Sequence, residues 1–168
     1  MFRRTTVLTG QAQPRTLALA ASALAFLLLG TCVYILDRDW ATAWFLAPLA
    51  GLQGEPAGLF GSVGFVLPAF CHAYAFSLLL ILALGRTRRA CLLGAFAWFA
   101  VAAGLEFLQL APMSARLQTL AAWYTDSPVL GSIMMYAVHG RFDPYDLAAA
   151  GLGCVAAWMI ASRPEEGK

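Results

Sequence analysis

Four long apolar runs dominate the chain, each bounded by charge, glycine or proline. They cover Thr16 to Leu36, Pro68 to Gly85, Ala90 to Ala111 and Asp143 to Ser162. Each holds roughly 20 residues, enough for a helix to cross ~30 Å of hydrocarbon. Their apolar character is unbroken, which argues against a β-barrel, whose strands alternate lipid-facing with lumen-facing residues. Pro68 suits the first turn of a helix, where its missing N–H has no partner to lose. Pro112 closes the third run. The first run starts as a signal peptide would, but it continues through Cys32-Val33-Tyr34-Ile35-Leu36, beyond the length of a signal core. It is read as an uncleaved helix.

Two long connections separate these runs. Asp37 to Leu67 carries Asp37, Arg38, Asp39 and Glu55 among several glycines. Within it, Trp40, Trp44, Phe45 and Leu46 predict an interfacial segment, because indole combines an apolar ring with a polar N–H. In the second connection, Met113 to Tyr124 fits an amphipathic helix. Pro128 to Val138 is apolar but too short to cross, and fits an interfacial or re-entrant piece. No internal repeat or domain linker stands out. The expectation is a single all-α domain over residues 1–168: an integral membrane bundle of four transmembrane helices, with interfacial segments in two outward loops.

Composition strengthens this picture. The chain is 61% apolar and 12% charged, where soluble chains run at about 45–50% and 25%. A net charge of +2 carries no nucleic-acid signal, and no nucleic-acid partner is expected. Cys32, Cys71, Cys91 and Cys154 all fall inside apolar runs without C-x-x-C spacing. They pack as small hydrophobes and offer no zinc or haem framework, so neither a metal nor a cofactor is expected.

Charge distribution predicts the topology. Arg3, Arg4, Arg15, Arg86, Arg88, Arg89, Arg163 and Lys168 gather on one side, against Arg38, Arg116 and Arg141 on the other. The positive-inside rule then places both termini and the 86–89 loop in the cytoplasm. The 37–67 and 112–142 connections face outward.

Polar residues inside the apolar runs converge under this topology. His72 lies roughly 6 Å, and Glu106 roughly 7 Å, below the outer surface at ~1.5 Å per residue. Asp143 and Asp146 open the fourth run at the same face. Glu106 and Gln109 are neighbours at i, i+3. Asp146 continues into Ala150, Gly153 and Ala157, a small-residue face that allows close helix approach. Carboxylates at this depth are costly without a partner, and His72 or Arg141 could supply one. The simpler roles are a hydrogen-bonding His72, an N-cap at Asp143 and a snorkelling Arg141. Together, His72, Glu106, Gln109, Arg141, Asp143 and Asp146 predict one outward-facing polar pocket.

These residues resemble the VanZ-like family of small bacterial membrane proteins. The similarity lies in the order of His72-Ala73-Tyr74-Ala75-Phe76, Glu106-Phe107-Leu108-Gln109, Gly140-Arg141-Phe142-Asp143-Pro144-Tyr145-Asp146-Leu147 and Gly151-Leu152-Gly153. It covers residues 68–158. The resemblance implies a cell-envelope role, linked in that family to resistance to the glycopeptide teicoplanin. Here the stretch between Gln109 and Arg141 is longer than the family pattern, which points to an added outward surface.

Three functions follow. The first is binding of a membrane lipid or lipid-linked headgroup, with Arg141 and His72 on phosphate or sugar. The second is an accessory subunit of a larger membrane assembly, contacting a protein partner through residues 112–140 and 40–46. The third is an intramembrane lipid-modifying enzyme with His72 as general base. No H-E-x-x-H spacing supports the third.

Overall fold

In the computed structural model, which describes residues 14–41, 46–120 and 127–163, every regular element is helical. The helices are α1 (Pro14–Asp37), α2 (Leu67–Ala83), α3 (Arg88–Leu108), α4 (Ala111–Thr119), α5 (Pro128–His139) and α6 (Pro144–Ala161). Two 3-10 turns, Ala47–Leu52 and Gly61–Phe65, shape the first connection. Helices α1, α3 and α6 are long and apolar enough to cross a membrane; α2 is apolar but holds 17 residues. The third apolar run is shorter as a helix than its sequence implies. Pro112 cannot donate a bond to the Leu108 carbonyl, so α3 ends there and α4 restarts with Pro112 in its first turn. Trp44 and Phe45 of the expected interfacial segment, and Arg3, Arg4 and Lys168 of the charge tally, lie outside the described residues.

Helix α2 is the hub, packed against α1, α3 and α6. Its sequence is apolar all round, and a helix without a polar face belongs in the interior. Glycines set how closely its neighbours approach. A Cβ at Gly153 would lie 2.5 Å from the Phe70 carbonyl oxygen and 2.9 Å from the Tyr74 nitrogen. One at Gly94 would lie 2.7 Å from Ile81 Cγ1 and 3.0 Å from its nitrogen. Both crossings therefore bring backbone against backbone. Polar side chains tie the same interfaces: Ser22 Oγ and Tyr74 Oη are 2.8 Å apart, and Ser77 Oγ donates to Cys154 Sγ at 3.3 Å.

Many of the buried residues are small, and many large ones lie outside. Ala23, Ala73, Ala75, Cys91, Cys154 and Ala157 are buried, while Leu24, Leu93, Phe96 and Leu152 are each more than half exposed. Water would penalise that arrangement. Hydrocarbon does not, and close packing of small residues is what drives helix association there.

The connections are tightly closed. Helix α2 ends in a Schellman turn: Arg86 N–H donates to Ile81 O at 3.1 Å and Gly85 N–H to Leu82 O at 3.3 Å. Gly85 sits at φ 92° and Arg86 at φ 57°. Thr87 then caps α3, its Oγ1 accepting from Ala90 N–H at 3.1 Å. After α1, the Asp37 carboxylate accepts from Leu59 N–H at 2.7 Å and Phe60 N–H at 2.6 Å. Gln53 clips the same loop, accepting from Trp40 N–H and donating to the Arg38 carbonyl. The chain is thereby folded back over the end of α1.

Candidate functional site

The end of the bundle where α1 and α3 finish and α2 and α6 begin encloses a cavity of about 260 Å³. Its walls follow helical spacing. Tyr34 and Arg38, i and i+4, come from α1 and the residue after it; His72, Ala73 and Phe76 come from α2. Helix α3 supplies Trp98, Ala102, Leu105 and Glu106, and α6 supplies Asp146 and Ala150. Tyr136 of α5 closes the rim.

Of the residues expected to form one pocket, the cavity collects His72, Glu106 and Asp146. Glu106 is 8% exposed, and its Oε2 accepts the Asp143 backbone N–H at 3.2 Å, tying the end of α3 to the start of α6. His72 stacks on Tyr34 with ring centroids 6.2 Å apart and planes at 20°. Phe76 and Trp98 stack at 4.4 Å, which gives the inner part of the cavity an aromatic floor.

The other three expected residues take different places. Asp143 is the N-cap of α6, its Oδ1 accepting from Tyr145 N–H at 2.8 Å. Gln109 is buried, and a Cβ on Gly140 would collide with its side chain, so it fills the gap beneath the chain leaving α5. Arg141 is exposed and does not line the cavity.

The cation at the cavity is Arg38 instead. Its Nη2 donates to the Phe65 carbonyl at 2.6 Å, and the guanidinium lies 5.1 Å from the Phe65 ring centroid and 5.9 Å from that of Tyr34. Such stacking holds a guanidinium planar and oriented. Two polar atoms at the cavity lack partners among the described residues: Arg38 Nε and Asp146 Oδ1, both buried. Burying a donor or acceptor unpaired costs about 1–3 kcal/mol, more when it is charged, so each such atom asks for a partner. A water takes roughly 30 Å³; the cavity has room for a phosphate or a sugar ring's edge.

Tyr136 adds a neutral hydroxyl at the rim. Burial pushes its phenol up to about 12, with the Gln109 amide beside it pulling the other way. It therefore stays protonated through the physiological range. Among the described residues, no group of three or more His, Cys, Asp or Glu side chains is placed to hold a metal ion.

Sequence reasoning missed Tyr34, Arg38, Trp98 and Tyr136. The signals were present: Tyr34 and Arg38 share a helix face, and Trp98 precedes Glu106 by eight residues on another. Comparison of the chain with family models, with curated proteins and with solved structures finds no match to any of them.

Proposed function

We propose that the protein is a bacterial inner-membrane protein of four spans that binds the headgroup of a lipid or lipid-linked molecule in this cavity. One observation carries the reading: a cavity of about 260 Å³ whose lining includes two buried polar atoms of oppositely charged side chains, Arg38 Nε and Asp146 Oδ1, without partners among the described residues. Arg38 takes a phosphate oxygen. Asp146 and His72 take hydroxyl or amine groups, and the Phe76–Trp98 pair stacks against an apolar sugar face. The residue class fits such a ligand because a guanidinium matches phosphate geometry. In this topology α2 joins α1, α3 and α6 as a span, its short length made up by the Gly61–Phe65 turn ahead of it. The site then lies in the outer leaflet, and both termini are cytoplasmic. The resemblance to VanZ-like proteins supports a role in the cell envelope, with tolerance of glycopeptides as its testable consequence.

The test is lipid retention. The full chain and its Arg38→Gln and Glu106→Gln variants are purified in mild detergent, and the retained lipids are identified by mass spectrometry. The native chain is expected to hold a phosphate- or sugar-bearing lipid. Each variant should lose about tenfold or more of it, the scale of ~1.4 kcal/mol, with unchanged thermal unfolding. Bacteria expressing the native chain, but not the variants, should tolerate more teicoplanin. Equal retention in all three proteins would end the headgroup reading.

A second reading, an accessory subunit, draws on the α4–α5 pair. Met113, Leu120, Leu130, Ile133 and Met135 are each at least 40% exposed there, in the stretch 112–140. A monodisperse single chain after gentle extraction would rule against it.

A further inference from the structure

A second, larger cavity of about 790 Å³ lies at the opposite end of the bundle, where α1 begins, α2 passes into α3 and α6 ends. Four arginines line it, Arg15, Arg86, Arg88 and Arg163, and no acidic side chain does so among the described residues. Two of them are fixed by the fold. Arg15 Nη2 donates to the Ile160 carbonyl at 3.1 Å, capping α6, and Arg86 Nη1 donates to Thr16 Oγ1 at 3.3 Å. Arg88 and Arg163 are exposed. The start of α3 adds the positive end of a helix dipole to the same place. A concavity lined by guanidinium groups and the start of a helix attracts anions.

An apolar groove of about 370 Å³ lies between α3 and α6 and shares one wall residue with this cavity. Its walls are Leu92, Phe96 and Phe99 on one helix and Gly151, Val155 and Trp158 on the other. Trp158 lines both the groove and the basic cavity. From Leu92 to Phe99 the groove follows roughly 10 Å of helix at ~1.5 Å per residue, much of the depth of one leaflet. Gly151 keeps its deep end open: a Cβ there would meet Phe99 Cε2 at 3.4 Å.

We infer that this face binds one anionic phospholipid, its phosphate in the arginine cavity and an acyl chain in the α3–α6 groove. The apolar groove beside the arginines, with Trp158 lining both, favours a lipid over a free phosphate, because the groove gives an inorganic anion nothing. Basic pockets between membrane helices hold anionic headgroups on the same principle. The site is independent of the outer-leaflet cavity and stands if that one fails.

The full chain in detergent is titrated with dioleoyl phosphatidylglycerol, with dioleoyl phosphatidylcholine and with inorganic phosphate, and binding is read by native mass spectrometry. The glycerol lipid is expected to bind about tenfold or more tighter than the choline lipid, with phosphate not competing. The double variant Arg88→Gln/Arg163→Gln touches neither capping bond and should lose about tenfold, the scale of two arginines near an anionic headgroup. Gly151→Leu, which fills the groove, should also weaken the lipid. Arg38→Gln, at the other cavity, should change nothing. Equal affinity for both lipids, an unaffected double variant, or displacement by inorganic phosphate would each overturn the proposal.

Discussion

Asp143 and Asp146 are two acidic residues three positions apart at one helix start, yet the structure gives them separate work. Asp143 caps α6 through its bond from Tyr145 N–H, whereas Asp146 lines the Arg38 cavity with an Oδ1 that has no partner among the described residues. Asp143→Ala is therefore expected to cost about 1 kcal/mol of stability and leave lipid retention intact. Asp146→Asn should do the reverse, and thermal unfolding alongside retained lipid separates the two. Tyr136 supplies a pH signature. Its phenol is pushed up to about 12, above the ordinary ~10 of an unfolded tyrosine. Its contribution to stability is full below that ordinary value and is lost as pH rises towards the folded one. Tyr136→Phe should therefore flatten the loss of thermal stability in this alkaline window, and an equally steep loss would show the phenol is not buried. That His72, Glu106 and Asp146 share one end of the bundle was legible from the sequence, because position along a helix follows from counting residues. Arg38 was not. It continues the Tyr34 face, but it lies just past the end of α1, and the bond to the Phe65 carbonyl that holds its guanidinium at the cavity has no sequence signal.

At the scale of elements, the apolar runs declared themselves through length, and their helices begin and end within a few residues of those limits. What sequence pattern left open was the choice of central helix. Periodicity cannot separate a helix that is apolar because it faces lipid from one that is apolar because it is enclosed. The answer lies in the glycines opposite α2. Gly94 and Gly153 touch its backbone, and side chains there would push α3 and α6 outward. Gly153→Val places its Cβ against the Phe70 carbonyl, a backbone atom that cannot swing aside, and overpacking of this kind costs about 1–3 kcal/mol or more. The midpoint of thermal unfolding in detergent should fall accordingly. The neighbouring Leu152→Val, on the exposed face, should leave it unchanged. Equal behaviour of the two variants would mean that α6 does not pack on α2 as described.

For the whole molecule, the two cavities at opposite ends of one bundle give the topology a chemical meaning. One cavity is lined by Arg38 together with Glu106 and Asp146, whereas the other gathers four arginines without an acid among the described residues that line it. The proposed orientation assigns the first to the outside and the second to the cytoplasm, where the leaflet carries anionic lipid. Gly54 in the first connection and Arg89 beside the α2–α3 turn mark the two faces, and both are exposed. Gly54→Cys and Arg89→Cys, each in a chain whose four native cysteines are replaced by alanine, allow a direct test. In intact spheroplasts a membrane-impermeant maleimide should label Gly54→Cys and leave Arg89→Cys unlabelled until the membrane is opened. Replacing Arg86, Arg88 and Arg89 together by glutamine, while adding lysines beside Gly54, should invert or mix that pattern if charge sets the orientation. Labelling of both native-charge variants from outside would place the basic cavity in the wrong leaflet and remove the link between the arginine cluster and cytoplasmic lipid.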